Sequence, residues 1–203
     1  MLRMVVYPLL LSICMALPVR AAPDAARGVI EKAMNEVITV LEDKKLPQAQ
    51  RQKRIEDIAY ARFDFDRMSR LVLAKNYKQL DDAQRDAFAQ EFKKHLSLTY
   101  GRRVESYSNE SVQVGEARAE KNGDVSVKTK VLGGQAADGI AIEYRMRENS
   151  GEWKVIDVII EGVSLIANFR SQIQDIIRNE GIEQLITKLR QKNEERAASP
   201  AKS

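Results

Sequence analysis

Residues 122–132 read Asn-Gly-Asp-Val-Ser-Val-Lys-Thr-Lys-Val-Leu. Val125, Val127, Thr129 and Val131 alternate with Ser126, Lys128 and Lys130. Successive side chains of a strand point to opposite faces, so this segment has one apolar and one wet face. Asn122-Gly123 is a strong hairpin signal, because both residues tolerate positive φ. The stretch is therefore expected to pair with 111–119. Downstream, Ile140, Ile142, Tyr144 and Met146 alternate with Glu143, Arg145 and Arg147, and a turn at Asn149-Ser150-Gly151 leads into Trp153 to Ile160. The expectation is a curved four-stranded antiparallel meander. Val155, Ile156, Val158, Ile159 and Ile160 make the last strand apolar on both faces, which argues for a central position covered from both sides.

Outside this block the period is helical. Ala26, Val29/Ile30, Ala33, Val37 and Leu41 mark an amphipathic helix over 24–42. Pro47 suits the first turn of a second helix to about Tyr60, with Ile55 and Ile58 on its apolar side. Phe63-Asp64-Phe65-Asp66 interrupts the pattern before a short helix through Met68, Leu71 and Val72. Asp81 or Asp82 caps a long helix to about Tyr107, with the stripe Phe88, Phe92, Leu96 and Tyr100. After Gly162, Ser164 can cap a helix carrying Leu165/Ile166, Phe169, Ile173 and Ile176/Ile177, and Gly181 separates it from a short final one through Leu189. Helices, then strands, then helices make an α+β domain: a curved four-stranded antiparallel sheet packed with N- and C-terminal helices.

The ends have their own composition. Arg3, the apolar run Val5 to Pro18, and Val19-Arg20-Ala21 have the n-region, h-region and cleavage site of a secretory signal peptide over residues 1–21, which places the mature domain at 22–190 and the protein in the periplasm. Residues 191–203 read as a polar, disordered tail. The formal net charge of +4 includes Arg3 and Arg20, so the mature charge is near +2 and gives no case for nucleic-acid binding. The single cysteine, Cys14, leaves with the signal peptide, and His95 is the single histidine, so neither disulfide nor thiolate metal site is expected.

Asp157-Val-Ile-Ile-Glu161-Gly162-Val163-Ser164-Leu165, followed by Asn168-Phe169-Arg170, resembles the C-terminal signature of the toluene-tolerance, or MlaC, family of periplasmic phospholipid-binding proteins. Asn76-Tyr77-Lys78, Gln84-Arg85, Phe88 to Phe92 and Tyr100-Gly101 are similar to that family's central helix, and the likeness runs from about residue 25 to 190. Leu73-Ala74-Lys75-Asn76-Tyr77 departs from it, since many members have glycine after the leucine and tryptophan in place of Tyr77. The resemblance implies an apolar lipid cavity between curved sheet and helices, in an architecture of NTF2-like appearance. It also implies lipid exchange with an outer-membrane lipoprotein complex and with an inner-membrane ABC transporter carrying a lipid-binding domain, which maintains outer-membrane lipid asymmetry. The bound phospholipid is cargo, no cofactor is implied, and a monomer is expected.

On that resemblance the candidate lipid-binding wall is Met68, Leu71, Val72, Phe92, Leu96, Tyr100, Val131, Ile142, Tyr144, Ile156, Val158, Val163, Ile166, Phe169 and Ile173. Arg103 either faces a lipid phosphate at the mouth or, with Arg102, complements the C-terminus of the long helix. Arg170 either touches lipid or pairs with Asp157 or Glu161. A hopanoid or sterol-like cargo would keep the carrier class. Asp157, mid-strand between Ile156 and Val158, is the one residue that suggests an enzyme, a proton abstractor of the ketosteroid-isomerase type with Tyr144 as a donor. No nucleophile–base pair or oxyanion donor set accompanies it, so no catalytic residue is assigned.

Overall fold

The computed structural model describes residues 21–105, 111–133 and 136–198. The expected signal peptide, apart from Ala21, and the last five residues lie outside the described residues. Helix α1 spans Ala21–Glu42, α2 Gln48–Arg62, α3 Phe65–Leu73 and α4 Asp82–Glu105. Strands β1 (Ser111–Ala119), β2 (Asp124–Gly133), β3 (Ala136–Asn149), β4 (Glu152–Ile160) and β5 (Val163–Ser164) follow, then α5 (Leu165–Glu180) and α6 (Ile182–Ala198). The helix starts are chemically explicit. The Asp64 side chain accepts the Arg67 N–H at the head of α3. Asp81 and Gln84 bond each other's backbone N–H reciprocally at the head of α4, a capping box. Ser164 accepts the Ala167 N–H to start α5.

The sheet is antiparallel in the order β1-β2-β3-β4-β5. It has five strands where the pattern predicts four, because Val163 and Ser164 fold back on Ile160 and Ile159 before α5 begins. That return uses Glu161 and Gly162, both at positive φ, as a tight hairpin turn requires. Asn122 and Gly123 are likewise at positive φ between β1 and β2. Register shifts between Val114 and Ala117, between Val131 and Gly133, and opposite Arg145/Met146 bend the sheet. Gly139 lies by the second shift at φ +73, where a Cβ would stand 2.5 Å from the Val131 carbonyl oxygen.

Two expectations change. Strand β4 is not central: its outer neighbour is only the two-residue β5. Its apolar faces are covered by helices instead, since α1, α2, α3 and α5 all contact it. The polar tail expected from Gln191 is helix as far as Ala198, and Asn193 within it is fully buried. Among the described residues no helix is long and apolar enough to cross a membrane.

Candidate functional site

Cross-strand register assembles one apolar face from four strands. Val125 stands opposite Met146 and Met146 opposite Val155; Val127 faces Tyr144, which faces Val158; Thr129 faces Ile142, which faces Ile160. Val112, Val114 and Ala117 extend the face onto β1. Ala26 and Ile30 of α1, Met68 and Val72 of α3, Phe88, Phe92 and Leu96 of α4, and Ile166, Phe169 and Ile173 of α5 belong to the same apolar cluster. Exposure rises along the strands. Val125, Val127, Met146 and Val155 are at most 1% exposed, Ile142, Tyr144 and Ile160 are half-buried, and Ile140 is 40% exposed. Val163, paired with Ile160, is 58% exposed. The face is therefore sealed at the Val125–Val155 end and opens toward Ile140 and Val163, the large apolar side chains that stand exposed among the described residues.

The structure brings most of the sequence-predicted wall together. Met68, Val72, Phe92, Leu96, Val158, Ile166, Phe169 and Ile173 are buried in this one cluster, and Leu71, Tyr100, Ile142 and Tyr144 pack against it half-buried. Val131 lies farther along the inner face, half-buried. Val163 is on the rim rather than in the wall. Ile156 is buried but outside the cluster, because it sits at the β4 register shift and falls out of alternation with Val155 and Val158. The side chains of Arg102 and Arg103 lie outside the described residues. Val125, Val127, Thr129, Met146, Val155, Ile160 and, from α1, Ala26 and Ile30 share the cluster or its face without having been singled out. Alternation and helical period both marked them, but cross-strand pairing alone aligns the strand residues with Tyr144.

Polar groups around the face are held in specific bonds. The Tyr144 phenol hydrogen-bonds with Thr129, and burial pushes it up to about 12, so it stays protonated in any physiological medium. Thr129 Oγ1 donates to the Ile142 carbonyl at 3.1 Å. Asp157, 1% exposed, accepts from Arg145 Nη2 at 2.9 Å, from the Ser164 hydroxyl at 2.6 Å and from the Ile166 N–H at 3.1 Å. It anchors the first turn of α5 to β4, where the helix dipole favours an anion. His95 Nδ1 lies 2.9 Å from Asn193 Oδ1, and Asn193 Nδ2 donates to both the carbonyl and the carboxylate of Glu91. Burial lowers the His95 pKa, against the bond to Asn193 and aided by the Arg196 and Lys192 charges, which favours the neutral ring. It clasps α6 to α4 and meets the Phe169 ring edge-on at 5.5 Å.

Two surface hollows lie elsewhere. A groove of about 750 Å³ runs between α1 and α2 past Gly28, Asn35, Val40, Arg54 and Ile58. A smaller one, about 440 Å³, lies by Phe63, Phe65, Gln90 and Lys93. No residue of the sequence-predicted wall lines either.

Residues 31–191 match the family of the MlaC protein. Two relatives are the toluene tolerance protein ttg2D of Pseudomonas putida, 30% identical over 119 residues (58% of this chain, 55% of that protein), and the intermembrane phospholipid transport system binding protein MlaC of Haemophilus influenzae, 28% identical over 123 residues (59% and 58%). These alignments span somewhat more than half of each relative's length. Among solved structures, a phospholipid-binding protein from Ralstonia solanacearum, in complex with a phospholipid, superimposes with a TM-score of 0.76 over 85% of this chain and 98% of that one. At 24% identity that likeness establishes the fold.

Proposed function

The chain belongs to the MlaC protein family, and from that premise we propose that it is a periplasmic, monomeric phospholipid carrier. It holds acyl chains against the inner face of the sheet and shuttles them between an outer-membrane lipoprotein complex and an inner-membrane ABC transporter, maintaining outer-membrane lipid asymmetry. The observation that carries the reading is the apolar face itself, sealed at one end and graded to an exposed apolar rim at Ile140 and Val163. Tails directed toward Val125, Met146 and Val155 leave the headgroup at the rim.

The energetics require such a face. Two acyl chains hold about 30 methylenes, and at roughly 0.8 kcal/mol each their exposure to water costs over ~20 kcal/mol. A carrier has to match most of that with its own apolar surface, or extraction from a membrane does not proceed. The half-buried Leu71, Tyr100, Ile142 and Tyr144 are the wall residues best placed to move aside for a chain. No catalytic step belongs to this reading: Asp157, the one candidate base, is engaged by three donors that tie β4 to α5.

The test is organic extraction of the purified mature protein followed by mass spectrometry. Co-purified phospholipid supports the proposal, and a hopanoid would keep the carrier and change the cargo. Protein that emerges lipid-free and takes nothing from vesicles would sink it.

A further inference from the structure

Arg170 lies on the flank of the buried side of α5, facing α3. At 3.6 residues per turn it sits one turn after Ile166 and one before Ile173, both buried in the apolar cluster. It is half-buried, and its Nε donates to the Leu71 carbonyl at 2.9 Å, at the last turn of α3. The carboxylates that would neutralise it are engaged elsewhere. Asp157 holds Arg145, Ser164 and the Ile166 N–H, and Glu161 accepts the Ala141 N–H. Capping α3 needs one N–H, and a guanidinium has five in a planar fork. The four on its η nitrogens have no carboxylate partner among the described residues. A cation held by one edge beside an apolar wall is the geometry that takes a phosphate oxygen pair.

We propose that Arg170 recognises the phosphate of the bound lipid and so distinguishes phospholipid from neutral lipid. This rests on the carrier reading above. The experiment is competitive capture from phosphatidylcholine vesicles containing equal amounts of phosphatidylglycerol and a diacylglycerol of identical chains, read by mass spectrometry of protein-bound lipid. The wild type is expected to enrich phosphatidylglycerol over diacylglycerol by roughly tenfold or more, the size of a charge-assisted bond. Arg170→Gln, which keeps an N–H for the Leu71 carbonyl, is expected to bring that ratio near unity while still taking up lipid. If that variant does not fold, Arg170→Lys serves, with an intermediate ratio. Equal capture of both lipids by the wild type, or an unchanged ratio in the folded variant, overturns the inference and leaves the carrier reading standing. Capture of no lipid overturns both. Millimolar inorganic phosphate is expected to leave the ratio unchanged; if it erases the ratio, the site belongs to the free ion and the inference fails.

Discussion

Asp157 and His95 are the two buried titratable side chains with the most specific surroundings, and both act on the framework. Replacing Asp157 by Ala leaves the Arg145 guanidinium, the Ser164 hydroxyl and the Ile166 N–H without their acceptor. Arg145 is 39% exposed, so water recovers part of the loss, and the expected cost is about 2 kcal/mol in a denaturant titration. Lipid capture by the folded variant should be unchanged. His95 gives a pH dependence whose sign follows from its lowered pKa. The unfolded chain binds a proton at that ring more readily than the folded chain does, so stability declines as pH falls below about 6.5. The ring faces Asn193, Lys192 and Arg196 of α6 and Phe169 of α5, with Glu91 bound through Asn193. The wild-type melting temperature should drop more between pH 7.5 and pH 5.5 than that of His95→Gln; equal drops would exclude His95 as the cause.

Helix α6 is where reading by apolar period stopped short. Its last two turns carry Gln191, Lys192, Asn193, Glu194, Glu195 and Arg196, which look like a solvated tail. What orders them is a buried polar contact with α4, 98 residues away for the His95–Asn193 pair. Periodicity registers apolar stripes, not polar partners distant in the chain. A chain ending at Arg190 should therefore melt below one ending at Ala198, a comparison a disposable tail would leave flat. Strand β4 misled for a related reason. Apolar residues on both faces report that both faces are covered, and helices cover them as well as neighbouring strands do. The hairpin at Asn122-Gly123, a cap at Asp81 or Asp82, the cap at Ser164, and the meander were all legible, because each depends on residues within a few positions of one another; the Asp64 cap and the choice of Asp81 came from the structure. The register shift that removes Ile156 from the inner face leaves no such local mark.

The described residues arrange an apolar face with a closed and an open end, and the twelve residues of the expected wall that gather in its cluster were legible as stripes before their common destination was. Packed core and lipid wall have the same periodicity, so the proposal of a lipid wall rests on the family likeness, and the exposure gradient gives that proposal a direction. Trp153, the only tryptophan, packs against the cluster just beyond Val155 at the closed end. Its fluorescence reports how deep a chain reaches. The most direct measurement is quenching of Trp153 by phospholipids brominated either near the terminal methyl or near the ester. Tails inserted toward the closed end predict markedly stronger quenching by the terminal-methyl label. Quenching that is absent in the lipid-loaded protein, or stronger from bromines beside the ester, would contradict it.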